Sequence, residues 1–226
     1  VQDALIEEYA RVYRNILKNT TKLINDPDLA LQAADIEKVL IDSGYYQAGQ
    51  RVLTEGQQAA MDASIDFYRQ AMQEDLQYQP AALQTLESMR AMNAGTITQQ
   101  GMKLSNELLR PVTELALGLS NKDAALDAIA KALDISSAQA TSWARTALQE
   151  VHRTSTVLLG EQAGLEMYKY MGPMDMLTRP FCEQHVGEVR PLSEWKAMSN
   201  GQIGTAATNG GGYNCRHRLI PVVKEV

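Results

Sequence analysis

Over the first 164 positions apolar residues recur at helical spacing. Leu5, Tyr9, Val12, Ile16 and Leu23 fall at steps of four, three, four and seven, with Glu7, Arg11, Arg14 and Lys18 between them. That pattern predicts an amphipathic helix whose stripe needs a partner surface. Asp26-Pro27 reads as a stop and restart, because proline is tolerated at the first helical position and aspartate caps the amides behind it. The helix that follows is expected to close at Ser43-Gly44, where glycine can turn left-handed. Residues 46–77 predict a longer helix carrying Val52, Ala59, Ile65, Tyr68, Met72 and Leu76. Pro80 opens another through Leu83, Leu86, Met89 and Met92, which Gly95 is expected to break. Residues 96–119 then place Leu104, Leu108, Val112 and Leu115 on one face, with Pro111 kinking or dividing the helix. Asn121 is expected to cap a short helix through Leu126, Ile129 and Leu133. Ser136-x-x-Gln139 has capping-box spacing and is expected to open a last long helix with Trp143, Leu148, Val151 and Leu158.

After Gly164 the pattern changes. Residues 165–226 hold both cysteines, seven of the 15 glycines and four of the seven prolines, and contain the short strand-like runs "LEMYKYM" and "RHRLIPVV". The expected fold class is therefore α+β: a helical arm over 1–164 and a small, turn-rich, β-containing domain over 165–226. With 45% hydrophobic and 21% charged residues the chain can build a core. No run approaches the roughly 18 apolar residues of a membrane span, and the N-terminus lacks the order of a secretory signal, so no membrane partner is expected. The first residue is Val rather than Met, as in a processed chain or a part of something longer.

Charge separates the two parts. The chain carries a net charge of -6, which argues against a general nucleic-acid coat held by counterion release. From Leu165 onward seven basic residues meet six acidic ones, so the acidic excess lies in the helical part, which reads as a protein-binding surface. Two cysteines do not staple a secreted scaffold, and a reducing compartment is expected.

Both cysteines and two of the three histidines sit in two short stretches, and their spacing admits several readings. Cys182-x-x-His185 and Cys215-x-His217 supply four thiolate and imidazole ligands in two pairs, a set that suits structural zinc. The same residues also read as two small buried thiols side by side, with His185 at the surface and His217 hydrogen-bonded. A Cys182–Cys215 disulfide is a third state. A nucleophilic reading takes Cys182 as thiolate, His185 or His217 as base and Asp175 as orienter. Metal-free nuclease chemistry would add Arg179 and Arg216 on a phosphate. "NGGGYNCR" lacks the Lys-Ser/Thr and helix of a phosphate loop. Its glycines instead predict close passage against "TRPFC", with Tyr213 covering the junction. Arg179 and Arg216 are each expected to fork onto Asp175 or a backbone carbonyl and so join the two halves. Met72, Met89, Met92 and Met102 read as adaptable core fillers, Trp143 and Tyr68 as packing anchors, and His152 as a lone surface or packing residue.

Two motifs go further. Tyr170, Gly172, Pro173, Asp175, Thr178, Arg179, Pro180, Phe181 and Cys182 form "Y-x-G-P-x-D-x-x-T-R-P-F-C", and Gly211, Gly212, Tyr213, Asn214, Cys215, Arg216, His217 and Arg218 form "G-G-Y-N-C-R-H-R". Together they resemble the signature of the phage head morphogenesis family, the minor head proteins of tailed phages of the Mu and SPP1 type. Gly187, Asn200-Gly201-Gln202 and the "ARTALQEV" segment over 144–151 also fall where that family has similar residues. The resemblance covers about the last third of the chain. Many relatives carry a further His where Gly212 stands and a Cys where His217 stands, so a carried-over zinc site would need His185 as substitute ligand. The resemblance implies a non-enzymatic virion component at the portal vertex, acting in head assembly and in DNA packaging or delivery. Its implied partners are the portal or major capsid protein, further copies of itself, and DNA, with host cytoplasm as the place of assembly. The readings from other classes are a catalytic domain built on Cys182 and the nearby histidines, and a zinc-stabilised adaptor.

Overall fold

The computed structural model describes residues 2–25 and 36–222. Its architecture is α+β, a mainly helical region followed by a small antiparallel sheet. The elements run in chain order as α1 (Gln2–Ile24), α2 (Ile36–Asp42), α3 (Tyr45–Arg51), a turn of π-helix (Val52–Gly56), α4 (Gln57–Met72), α5 (Pro80–Ala116) and α6 (Lys122–Gln162). Then follow β1 (Met167–Met171), α7 (Pro180–His185), β2 (Val189–Pro191), α8 (Leu192–Ala197), α9 (Ala206–Asn209) and β3 (Arg218–Pro221).

The stripe of α1 is buried throughout, and Gly44 closes the α2 turn with φ 84°. The Asp26-Pro27 signal lies outside the described residues. Several helical boundaries differ from expectation. The helix expected over 46–77 contains the π turn and stops at Gln73, which takes a left-handed φ of 56°. Gly95 and Pro111 both lie inside an unbroken α5, because Ile97, Leu104, Leu108 and Val112 around them are buried. That burial outweighs a local cost of about 1 kcal/mol for glycine and about 3 kcal/mol for proline. Asn121 does cap α6, its Oδ1 accepting from the amide of Ala124 at 2.9 Å. Ser136 caps nothing: α6 runs straight through it, and its hydroxyl reaches the Glu107 carboxylate at 3.4 Å.

The chain forms two compact units, Val1–Thr54 with Met92–Ser142, and Glu55–Ala91 with Trp143–Val226. The end of helix at Gly164 is thus not where the units divide. Residues 143–164 and 55–91 belong to the same unit as the C-terminal sheet, and Val157 of α6 belongs to the core beneath it. In the first unit Tyr9, Tyr13 and Tyr45 meet edge to face or tilted, and Gly49 and Gly101 let helices approach the side chains of Ile97, Tyr45 and Tyr46. Tyr46 donates to Glu37 at 2.6 Å, and Arg51 forks onto Glu8 at 2.7 Å.

In the second unit Ala60, Met61, Leu86, Met89 and Val151 form one cluster. Tyr68, the expected anchor, is fully buried and donates to the Thr156 carbonyl at 2.7 Å. The sheet order is β2-β1-β3, all antiparallel, and a proline closes each outer strand, Pro191 and Pro221. Tyr168, Tyr170, Leu192, Trp195, Leu219 and both cysteines fill the core under the sheet. Trp195 Nε1 donates to the Tyr168 carbonyl at 3.0 Å and so satisfies its one polar atom. Met92 and Met102, expected as core, are 69% and 59% exposed.

Candidate functional site

Strand β1 delivers Tyr170 to the core and leads into a loop that its own side chains hold rigid. Asp175 Oδ1 accepts from the Leu177 amide at 2.9 Å, and Thr178 Oγ1 accepts from the Asp175 amide at 2.8 Å. This Asx-type turn is the local reason the stretch needs aspartate and threonine three apart. Pro180 then opens α7 at its first position, where no amide is required, and Cys182 faces inward. The second stretch arrives from α9 through Gly210, Gly212 and Asn214, with φ of 56°, 101° and 53°. A side chain at Gly211 would run into Cys182 Sγ, which is the close passage the glycines predicted. One at Gly172 would likewise meet the ring of His217.

Two arginines join the stretches, and a third ties the second stretch to α6. Arg216 forks onto both oxygens of Asp175 at 2.7 and 2.6 Å, and Arg179 donates to the Gly211 carbonyl at 3.0 Å. The fork and the adjacent Leu177 amide hold the Asp175 carboxyl at about 2. Sequence reading missed the third. Arg153 of α6 is buried, donates from Nε to the His217 carbonyl at 2.8 Å, and also bonds the Cys215 carbonyl through Nη2. Its signal was faint: one arginine in the segment "VHRTSTVLL", four residues before Val157 and so on the same helix face. The upstream "ARTALQEV" segment also reaches the site, where Thr146 Oγ1 accepts from the Asn214 amide at 3.1 Å.

At the centre Cys182 Sγ and Cys215 Sγ lie 3.7 Å apart as free thiols, well beyond the roughly 2.05 Å of a disulfide. Cys215 Sγ accepts from the amides of Gly211 at 3.0 Å and His217 at 3.4 Å. Tyr170 Oη is 3.4 Å from Cys182 Sγ and 3.8 Å from Cys215 Sγ. Cys215 is the more acidic of the two: the hydrogen bond from Cys182, the Gly211 amide, the Arg153 charge and the His217 amide all favour its anion over the opposing effect of burial. Its bond to Cys215, then burial, pushes Cys182 up.

Several sequence-predicted roles fall differently. His185 does not join the sulfurs and is not at the surface; it is 8% exposed, with Nδ1 2.8 Å from Glu188 Oε2 and its ring against Phe181. A carboxylate three residues on captures it before it can turn to the cysteines. His217 is hydrogen-bonded as expected, its Nδ1 3.8 Å from Cys215 Sγ, while its buried Nε2 has no partner among the described residues. Tyr213 is half-exposed. Asp175 orients no histidine, because Arg216 takes both its oxygens. Of the four candidate metal ligands, Cys182, Cys215 and His217 come together, all buried, with ligand atoms within 4.8 Å of one another.

His152 is not alone. With Thr156, Ala63, Asp66, Phe67, Gln70 and Arg218 it lines a groove of about 350 Å³ in the second unit. Burial and the charges of Arg218 and Arg153 lower its pKa to about 4, so it is neutral there. Asp66 on the same rim is paired with Arg69 at 2.5 Å.

No family model, curated protein or solved structure matches the chain. The likeness to the phage head morphogenesis family therefore stands on the residues quoted above.

Proposed function

We propose that the chain is a non-enzymatic structural component of a tailed-phage head, a minor head protein of the portal vertex acting in head assembly and in DNA packaging or delivery. The observation that carries this reading is how the signature residues are used. Asp175, Arg179, Cys182, Cys215 and Arg216 all bond one another or backbone, so their chemistry is spent on holding two distant segments together. Both thiols are buried, at 2% and 6% exposure, which leaves no approach for a protein or nucleic-acid substrate and weighs against the catalytic alternative. Surface for a partner exists in the first unit, where Met92, Met102, Leu117, Leu119 and Ile135 are exposed. Methionine-rich apolar surface adapts to a partner protein. The acidic balance of the helical part favours a protein partner such as portal or shell over DNA.

The test is to probe procapsids and mature heads from infected cells with antibody against the chain. Label at one vertex and a few copies per head is the expected result. Heads that lack the chain, or carry it over the whole shell, overturn the reading.

A further inference from the structure

Independently of any role in a head, the buried cluster has the makings of a cation site. Two tetrahedral ligands about 2.3 Å from a zinc ion stand about 3.8 Å apart, and a sulfur and an imidazole nitrogen about 3.6 Å apart. Here the sulfurs are 3.7 Å apart, and Cys215 Sγ is 3.8 Å from His217 Nδ1. Two further observations fit a positively charged ligand. The Gly211 and His217 amides both donate to Cys215 Sγ, an arrangement that stabilises an electron-rich sulfur. The imidazole of His217 is 2% exposed, yet among the described residues its Nε2 has no partner and its Nδ1 meets only sulfur, at 3.8 Å. A buried ring so poorly satisfied is unusual unless something else completes it.

We propose that Cys182, Cys215 and His217 hold one thiophilic divalent cation, zinc by its ligand set, with the Tyr170 hydroxyl bordering its fourth side. The ligand set differs from the spacing-based one, since His185 is committed to Glu188. Binding displaces the thiol protons to solvent and requires no redox partner. Arg153 is not a ligand; it fixes the carbonyls of Cys215 and His217 and so aims both side chains.

The full chain, kept under reductant and stripped with a chelator, is titrated with Co²⁺ and followed by absorption. One equivalent is expected to bind, with sulfur-to-cobalt charge-transfer bands in the near ultraviolet and the strong visible bands of four-coordination, and Zn²⁺ is expected to displace it. Cys182→Ser, Cys215→Ser and His217→Ala each weaken binding by more than about 100-fold, whereas His185→Ala stays within about threefold. His217→Cys exchanges one ligand for another and decides the matter if the alanine variant does not fold. It should keep stoichiometric binding and intensify the charge-transfer bands. Absence of those bands from the native chain, or equal losses from His185→Ala and His217→Ala, overturns the site. The measurement needs no head, so its failure leaves the assembly reading standing, and a chain missing from heads would leave the cation site standing.

Discussion

Arg153 shows how much one side chain settles. Its guanidinium is the buried cation that takes up two carbonyls of the second stretch. Replacing it with methionine keeps the length but orphans both oxygens, and should lower unfolding free energy by about 2–4 kcal/mol. Lysine should recover part of that, since a point charge cannot fork two acceptors. Urea midpoints of the two variants check the order. Asp175 makes the pH-dependent counterpart. Its carboxyl is depressed to about 2 by the Arg216 fork and the Leu177 amide, while the unfolded chain titrates near about 4. The unfolded state therefore binds more protons between these values, so the contribution is complete above about pH 4 and lost as pH falls through about 2. Asp175→Asn should flatten the acid limb of stability in that window. Unfolding curves taken between pH 5 and pH 2, as a rough span, would reveal it.

Helices were legible as stripes and less so as boundaries. The buried set of α1 could be read from its period alone, because burial there follows the 3.6-residue repeat. Gly95 and Ser136 misled, since each is a local signal weighing about 1 kcal/mol or less, and even Pro111, at about 3 kcal/mol, does not divide α5, because the faces around them bury far more. The π turn at Val52–Gly56 left no trace in the pattern. At the site, the paired arginines and glycines were legible because a motif states its partners. Arg153 and the capture of His185 were not, because each depends on a neighbour that only the folded chain supplies. Helix α5 offers a direct test with two glycines six positions apart. A Cβ at Gly95 meets nothing within 4 Å, so Gly95→Ala should stabilise by about 0.5–1 kcal/mol. At Gly101 it would come within 2.7 Å of Tyr46 Oη and 3.0 Å of Tyr45, and Gly101→Ala should destabilise by about 1–3 kcal/mol. Thermal melts of the two variants should shift in opposite directions.

For the whole molecule, methionine exposure gives a map that can be read in solution and again in an assembly. Met92, Met102, Met174 and Met176 are exposed, whereas Met61 and Met89 are buried. Brief peroxide treatment of the free chain should oxidise the first four and spare the other two, as read by peptide mass. Shielding of Met92 and Met102 in intact heads would place the partner on the first unit, and their unchanged oxidation would move it elsewhere. The prolines that close β2 and β3 carry a consequence for crowding. Each removes an amide from the rim of the sheet, so a foreign strand finds an interrupted ladder on either flank. At high local concentration the chain would therefore resist fusing edge to edge into continuous fibrils.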